Sequence, residues 1–573
     1  MNLVSVISVT TSIIRVVLFP VFSRLSDLLG RTEVYSFSAV FHIVSFVILA
    51  LAQNFDTIVG GRVISSIGDV GLRIMGFALI GDMTSKLNRG LFHGLYQVPL
   101  LINFFVPPLV VEELVKKQNN WRWAYGHLPF VLLVCEIPFM VIAWKLQMRM
   151  RKHSMWLEYK QERREHEGQR PSIFEFVKKC LVLIDIVGCT LLVGALAMTL
   201  LPFNLSKSVW GGWATAKTLG TLCGGVGAWI LFAVWELKFA SQPLIPSNRW
   251  PNRTPLYGAI AAAIITLVSS LNWTYFFSFI QVTRRASITR ATYIRNGYRV
   301  AYTITQPIVG FLMMKTKVWR PFVWGGMALF ILGVGLMIPA RQPDQPDGFM
   351  VMTQVISGIG AGAIDIPIIV ALQSAVPHND LAMVTALFQA LGTIGGAVGS
   401  TISGAVWNNI LPDELSKHVP GEFDLQKAAG SYLYVFEMPE DQYTGAVVAY
   451  GNAQKILSIV AVCLTIFAFA FTLPMKSFGL DEAIDRHFHR NQDTADGLYF
   501  YSCRDLCVHV YDYSYLSAYI GENNIDDVKY QDTVDERCQN ETNKGDIRQD
   551  IYKTGSHTEV PNEQRAVVTS EKI

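Results

Sequence analysis

Charged side chains are scarce in this sequence. Asp, Glu, Lys and Arg together make up 16% of the 573 residues, whereas hydrophobic residues make up 51%. A soluble chain of this length would divide into several domains with polar surfaces, and the polar segments here are too short for that. The low charge therefore excludes an ordinary soluble protein and indicates that most of the chain lies in a lipid bilayer.

Signatures of enzyme chemistry are absent as well. The sequence has no GxxxxGK[ST] nucleotide-binding loop, no nucleophile–base set and no cluster of metal-ligating residues. Of its eight cysteines, only Cys503 and Cys507 are closely spaced in a polar segment, which is weak support for a metal site. The sequence predicts a protein that is not an enzyme.

Long apolar runs are what the sequence has in abundance. A helix needs about 20 apolar residues to cross a bilayer, because each residue adds about 1.5 Å across a core about 30 Å thick. Inside lipid, backbone hydrogen bonds must be made within each segment, which favours helices. The sequence therefore predicts an all-α polytopic membrane protein with thirteen spans, near residues 1–22, 34–53, 58–83, 91–113, 125–146, 184–205, 214–236, 256–281, 294–314, 321–339, 349–372, 382–408 and 453–473.

Basic residues are concentrated in alternate loops rather than in a nucleic-acid-binding patch. Ten lysines and arginines lie between Lys145 and Lys179, which the positive-inside rule places in the cytoplasm. Alternation of the spans then predicts a cytoplasmic C-terminus. One loop, 282–295, disagrees: it falls outside the cell under this orientation, yet it carries Arg284, Arg285, Arg290 and Arg295.

A repeat at an offset of 292 residues relates two parts of the chain. Val63–Gly68 reads VISSIG, Val355–Gly360 reads VISGIG, and the same offset pairs Leu95–Gln97 with Leu387–Gln389. Two bundles of duplicated origin are a common architecture for transporters, with the substrate site between them near the middle of the bilayer. The alternative is coincidence, because Ile, Val and Gly are common in membrane helices.

Ionisable residues within the spans are the candidate site. Arg62, Asp69 and Arg73 follow a helical spacing that stacks them on one face, and the offset places Asp365 opposite Arg73. A charge at the bilayer centre costs at least about 3 kcal/mol, so it faces protein or a wet cavity. We predict that these four residues and Glu136 form the substrate and proton pathway. The alternative is an Arg73–Asp365 ion pair with a structural role.

The loop after the first span carries a family signature. Ser23–Arg31 reads SRLSDLLGR, which resembles the G-x-x-x-D-[RK]-x-G-[RK] loop of the major facilitator superfamily, with Ser23 and Leu28 departing from the pattern. The resemblance implies that Asp27, Gly30 and Arg31 form a cytoplasmic gate motif. It also implies two pseudo-symmetric six-helix bundles plus two extra helices, with the first helix of the family missing, so that thirteen of fourteen are visible.

Further segments resemble the fungal siderophore–iron transporters, within the fourteen-helix subset of that superfamily. They include Gly81–Ser85, Asn120–Gly126, Asp185–Gly188 and Gly360–Pro367. The organisation predicted on this basis is an N-terminal bundle (1–146), a basic cytoplasmic loop (147–183), two linker spans (184–255), a C-terminal bundle (256–475) with an outer loop (409–452), and an acidic, disordered cytoplasmic tail (476–573).

This resemblance implies a proton-coupled transporter that imports ferric siderophores by alternating access. The iron would arrive inside its chelate, so no cofactor or protein-bound metal is expected. The expected protein is a monomer in the plasma membrane or an endosomal or vacuolar membrane, and its partners are lipid, protons and a siderophore or other small organic solute. Tyr432, Tyr434 and Phe436 in the outer loop are candidates for substrate contact. The alternative is that they belong to an ordinary loop that covers the outer end of the helices.

Two other functions remain open from the sequence. One is a multidrug or glutathione-type proton exchanger on the same scaffold. The other is an inactive, truncated member of the superfamily, since a bundle that lacks one helix need not seal or transport.

Overall fold

A computed structural model describes residues 2–111, 121–150, 173–205, 214–244, 252–377 and 380–480, with the single positions 113, 152, 210, 212 and 250. Over these residues the chain is helical and contains no strand. The tail from residue 481 onward, with Cys503 and Cys507, lies outside the described residues, as does segment 153–172 of the basic loop.

Nineteen α-helices make up this part of the chain, and they are numbered here in chain order. They are α1 (Asn2–Leu29), α2 (Arg31–Leu51), α3 (Phe55–Met83), α4 (Lys86–Gln97), α5 (Leu100–Val111), α6 (Trp121–Gly126), α7 (Leu128–Met150), α8 (Ile173–Ile184), α9 (Ile186–Leu205), α10 (Ala216–Val234), α11 (Thr254–Trp273), α12 (Phe276–Arg284), α13 (Ile288–Thr316), α14 (Arg320–Ala340), α15 (Asp347–Ser374), α16 (Leu381–His418), α17 (Leu425–Gly430), α18 (Tyr432–Phe436) and α19 (Glu440–Thr472).

Ten helices in the described ranges are long and apolar enough to cross a membrane, which makes this a multi-pass membrane protein. The other three predicted spans are helical but less uniformly apolar. Residues 1–22 belong to α1, which contains Arg15, and residues 294–314 belong to α13, which contains Arg295 and Arg299. Residues 91–113 are divided between α4 and α5, which meet beside Pro99.

Two predicted loops are shorter than the sequence indicated. The outer loop was predicted over residues 409–452, but α16 continues to His418 and α19 begins at Glu440. The reason is visible in α16, where Leu411 and Leu415 are fully buried one helical turn apart, so that an amphipathic extension follows the apolar run. Similarly, α8 occupies residues 173–184 at the end of the predicted basic loop.

The repeat seen in the sequence is also a repeat of structure. An offset of 292 carries α3 onto residues 347–375, and α15 spans 347–374. The equivalent glycines pack alike, each against the preceding helix. A Cβ at Gly68 would lie 2.5 Å from His42 in α2, and a Cβ at Gly360 would lie 2.5 Å from the Phe330 nitrogen in α14.

The two halves also contact each other in a reciprocal way. Helix α1 packs on α16, while α13, which the offset makes the equivalent of α1, packs on α4. Glycines allow the backbones to approach closely at the α4–α13 crossing: a Cβ at Gly310 would lie 2.4 Å from the carbonyl oxygen of Gly90. A pseudo-twofold relation between the halves produces such a pair of equivalent contacts, α1 with α16 and α13 with α4.

The linker helices α8 and α9 pack on α1 of the N-terminal half, α9 also packs on α16 of the C-terminal half, and α10 packs on α9. Leu192 and Leu196 of α9 are buried in one apolar cluster with residues of α1 and α16. Arg24 of α1 donates a hydrogen bond to the carbonyl of Gln242, 3.0 Å away, just after α10. Asp185 accepts from the backbone N–H of Gly188 at 3.1 Å, and so it caps the start of α9.

Substitution of Gly360 tests the close α14–α15 packing. We expect Gly360→Ala to lower the stability of the protein by about 1–3 kcal/mol, the usual cost of overpacking, because its methyl group would meet backbone atoms of Phe330. The measurement is the midpoint of thermal unfolding in detergent. Gly335→Ala is the matched control, since a Cβ at Gly335 meets no atom within 4 Å. Equal midpoints for the two variants would contradict the packing described.

Candidate functional site

A polar cavity lies in the C-terminal half around Asp365. Its volume is about 170 Å³, and α11, α13 and α15 form its walls. Within it, Oδ2 of Asp365 accepts hydrogen bonds from the hydroxyl of Tyr302 at 2.8 Å and from the side-chain amide of Gln306 at 3.0 Å. The sequence predicted Asp365 but not these two partners, which come from another helix.

Aromatic and hydroxyl side chains complete this cavity. The rings of Trp273 and Tyr298 lie with centroids 4.1 Å apart, and the hydroxyls of Tyr298 and Ser269 are 3.1 Å apart. Thr266 also faces the cavity. Apolar faces with a few fixed polar groups are the usual lining of a site for an organic molecule.

The N-terminal half contributes a carboxylate flanked by two arginines. Asp69 lies 3.4 Å from Arg15 and 3.9 Å from Arg73. The Arg73 side chain is 49% exposed and that of Asp69 is 29% exposed, so both reach open space. The spacing of Asp69 and Arg73 correctly predicted their proximity. Arg15 was missed, although an arginine inside the first apolar run was a signal for it.

Arg73 and Asp365 do not form the direct ion pair that was one of the two interpretations. The salt bridge of Arg73 is to Asp69, and the hydrogen bonds of Asp365 are to α13. The two charges lie on equivalent helices of different halves, α3 and α15, and have separate partners.

Glu136 lies in a second polar group beside Asp69. Its Oε2 accepts a hydrogen bond from the hydroxyl of Tyr35. His42, two turns after Tyr35 on α2, packs against Gly68, the residue before Asp69. The role of Glu136 in transport stays a prediction.

Arg62 lies apart from this group. Its guanidinium donates to the hydroxyl of Tyr125 at 2.9 Å and lies 5.5 Å from the centre of that ring. Seven residues separate Arg62 from Asp69, about 10 Å along the helix axis. Arg73 is therefore the arginine of this helix that pairs with Asp69.

The predicted gate motif forms a three-residue ionic network at the end of the bundle between α1 and α2, called here the Arg31 end. Arg31 is 2.8 Å from Asp27 and 3.1 Å from Asp82, which lies near the end of α3. Gly30 has φ of +113°, a conformation that favours glycine. The chain can therefore turn sharply between α1 and α2 and bring Arg31 back over Asp27.

The outer aromatic residues form a cover rather than an open contact surface. Tyr432, Tyr434 and Phe436 are half-buried and pack on the apolar core of the C-terminal half. The Tyr434 hydroxyl accepts the backbone N–H of Asp424 at 3.1 Å. Asp424 caps α17, and its hydrogen bond from the N–H of Lys427 holds the pKa of this carboxyl below its usual value.

Three of the four arginines in the loop that disagreed with the predicted orientation have acidic partners. Arg284 and Arg290 lie 3.0 Å and 2.8 Å from Asp347, and Arg285 lies 2.6 Å from Glu440. Much of the charge of this loop is thus neutralised locally. Counting arginines along the sequence could not reveal these ion pairs, and the disagreement of this loop with the positive-inside rule remains.

Comparison with known proteins identifies the family. The profile described as Major Facilitator Superfamily matches residues 1–400. The chain belongs to the major facilitator superfamily. Siderophore iron transporter 1 of Schizosaccharomyces pombe is 31% identical over 485 residues, which cover 83% of this chain and 75% of that protein. The chain is therefore a siderophore–iron-transporter-like member of the superfamily, a membrane transporter and not an enzyme.

Two further relatives carry similar names. Siderophore iron transporter mirC of Emericella nidulans is 26% identical over 504 residues, covering 87% of this chain and 82% of the relative. Siderophore iron transporter ARN1 of Saccharomyces cerevisiae is 24% identical over 487 residues, covering 84% of this chain and 77% of the relative. The resemblance stated from the sequence is thus confirmed.

Removal of the Arg31 charge tests the ionic network. We expect Arg31→Gln to lower stability by about 1–3 kcal/mol, because Asp27 and Asp82 would lose their shared cation and remain near each other. Arg31→Lys should recover part of this loss. Lysine keeps the positive charge, but it lacks the planar guanidinium that contacts Asp27 and Asp82 at the same time. Thermal unfolding in detergent measures both, with Arg253→Gln at an exposed arginine as the control. An unfolding midpoint for Arg31→Gln equal to that of the control would refute the network's contribution.

Proposed function

We propose that this transporter imports ferric siderophores, drawing on the proton gradient for energy. The support for the substrate is the name shared by relatives that align over more than 80% of this chain. The support from the molecule is a cavity with aromatic, hydroxyl and carboxylate groups between membrane helices. Such a lining suits a bulky organic chelate with many oxygen atoms.

The carboxylates suited to carry the proton are Asp365 and Asp69. A coupling carboxylate must load a proton on one side of the membrane and unload it on the other, which requires an environment that changes during transport. Asp365 is held by neutral hydrogen-bond donors, and Asp69 is held by arginines from two helices. A rearrangement of the halves would alter both environments.

Alternating access is the movement that this arrangement favours. Gly90 of α4 and Gly310 of α13 meet where the two halves cross. Because neither has a side chain, the two helices can tilt against each other at this contact. At the Arg31 end, a Cβ on Gly81 would lie 2.4 Å from Leu381 of the other half. The halves are therefore in contact at the Arg31 end. Separation of the halves at this end would release the chelate on that side of the membrane.

The orientation proposed places the Arg31 end and the C-terminus in the cytoplasm. Lys315 lies at the end of α13, Lys317 follows it and Arg320 begins α14, and the N–H of Leu480 donates to the carbonyl of Lys317 at 3.0 Å. Leu480, the last described residue, thus lies beside a basic turn, as the positive-inside rule describes for the cytoplasmic side. We further propose a monomer in the plasma membrane, where an importer meets external siderophores.

Iron is treated in this proposal as cargo within the chelate and not as a resident cofactor. A cavity of about 170 Å³ is smaller than the roughly 300–1,000 Å³ of pockets for organic ligands. Loading a siderophore would therefore require the halves to separate around Asp365. The single observation that carries the proposal is this polar cavity in a chain with siderophore-transporter relatives.

Uptake of radiolabelled iron by cells that lack their own siderophore carriers tests the proposal. Cells that express the chain should accumulate iron supplied as a ferric trihydroxamate, and an uncoupler should abolish the accumulation. Export of drugs or glutathione without any iron uptake would instead support an exchanger. If the cells neither take up iron nor export drugs or glutathione, the result would support an inactive member of the superfamily.

The same assay tests the coupling role of Asp365. We expect Asp365→Asn to reduce proton-driven accumulation at least tenfold, because the amide cannot carry the proton, while exchange of labelled for unlabelled chelate persists. Asp441→Asn, at an exposed carboxylate outside the cavity, is the control and should behave as the unaltered protein. Accumulation by Asp365→Asn at the normal rate, still sensitive to the uncoupler, would exclude Asp365 as the coupling group.

A further inference from the structure

Two arginines of α13 have no partner for their charge. Among the described residues, neither Arg295 nor Arg299 forms a salt bridge or a hydrogen bond, and Nε of Arg295 is buried without an acceptor. Arg290, one turn away on the same helix, differs in this respect because it lies 2.8 Å from Asp347. An unpaired cation in a membrane helix is costly unless a wet cavity or a ligand receives it.

The helical spacing shows which way these arginines face. Residues 295, 299, 302 and 306 recur every three or four positions and so share one face of α13. Tyr302 and Gln306, on that face, both donate to Asp365. Arg295 and Arg299 therefore extend the polar face of the cavity by two turns.

The opposite face of α13 is the one turned to lipid. Ile304, Ile308 and Phe311 are exposed at 45%, 53% and 44%, and at 100° per residue they lie on the far side of the helix from Arg299. Tyr298, the residue before Arg299, lines the cavity, and its hydroxyl lies 3.1 Å from that of Ser269. Arg299 therefore lies on the side of α13 away from its exposed apolar residues.

The charges around the passage leave it positive. On the N-terminal side Arg15 and Arg73 share the single carboxylate Asp69. On the C-terminal side Arg295 and Arg299 lie two turns and one turn before Tyr302 on α13, and the Asp365 carboxylate is occupied by neutral donors. A guanidinium offers several N–H groups in a plane that matches a carboxylate, which makes arginine the usual partner of that group.

We propose that Arg295 and Arg299 bind a peripheral carboxylate of the transported chelate and make the protein selective for anionic ferric chelates. This inference rests on the proposed function and specifies its substrate. The carboxylate would supply the missing counter-charge, and the aromatic wall at Tyr298 would hold the adjacent part of the chelate. A chelate with the same iron-binding groups but no negative charge would leave both arginines unpaired.

A matched pair of chelates tests the charge selectivity. One is labelled iron(III) bound to a trihydroxamate that carries free peripheral carboxylates, and the other is the same complex with those carboxylates methyl-esterified. The unaltered protein should take up the acid form with a KM at least tenfold lower than that of the ester. Arg299→Gln should raise the KM of the acid form about tenfold, the effect of losing a charge-assisted hydrogen bond, and change that of the ester less than twofold.

Variants of similar chemistry separate charge from structure. Arg299→Lys keeps the cation and should retain most of the preference for the acid form. Arg290→Gln removes a cation from the same helix, outside the passage, and should leave the preference unchanged. Equal loss of both chelates in Arg299→Gln, or an unaltered protein that prefers the ester, would overturn the proposal.

Binding to the purified protein distinguishes this proposal from the proposed function. If cells import neither chelate, the importing function fails, but thermal stabilisation of the protein in detergent still reports on the arginines. Greater stabilisation by the acid form than by the ester, lost in Arg299→Gln and kept in Arg299→Lys, would support the anion site. Equal stabilisation by both chelates would exclude it.

Discussion

An ionised group inside a bilayer must face protein or water, and this constraint organises the molecule. Asp69, Arg73 and Asp365 lie within long apolar helices, where exposure to lipid would cost at least about 3 kcal/mol each. The helices satisfy the constraint by turning these side chains inward and their apolar faces outward. The charged passage proposed between the two halves follows from this arrangement.

The second requirement is that the halves pack closely but not permanently. Within each half, glycines such as Gly68 and Gly360 allow neighbouring helices to pack closely. Between the halves, the Gly90–Gly310 crossing joins α4 and α13 through backbone approach, without a salt bridge at that point. The network of Arg31 with Asp27 and Asp82 joins α1, α2 and α3 within the N-terminal half at the Arg31 end, and ionic contacts can be broken and remade more readily than a packed apolar core.

Much of this architecture could be predicted from the sequence, because apolar length, helical spacing and a repeat are local signals. The offset of 292 predicted the relation of α3 to α15, and the spacing of Asp69 and Arg73 predicted their contact. Partners on other helices could not be predicted, since Tyr302 is 63 residues from Asp365. The partners of Arg62 and of the outer aromatic residues could not be predicted for the same reason, since Tyr125 is 63 residues from Arg62. The roles of these residues in transport stay predictions.

The direct measurement of a wet passage is the reactivity of single cysteines toward a charged, membrane-impermeant thiol reagent, in a variant without the native cysteines. Ser269→Cys places the thiol in the cavity, and Ile308→Cys places it on the exposed face of α13. The account predicts at least tenfold faster labelling of Ser269→Cys, and slower labelling when a ferric chelate is present. Faster labelling of Ile308→Cys, with Ser269→Cys unreactive, would contradict a passage between the two halves.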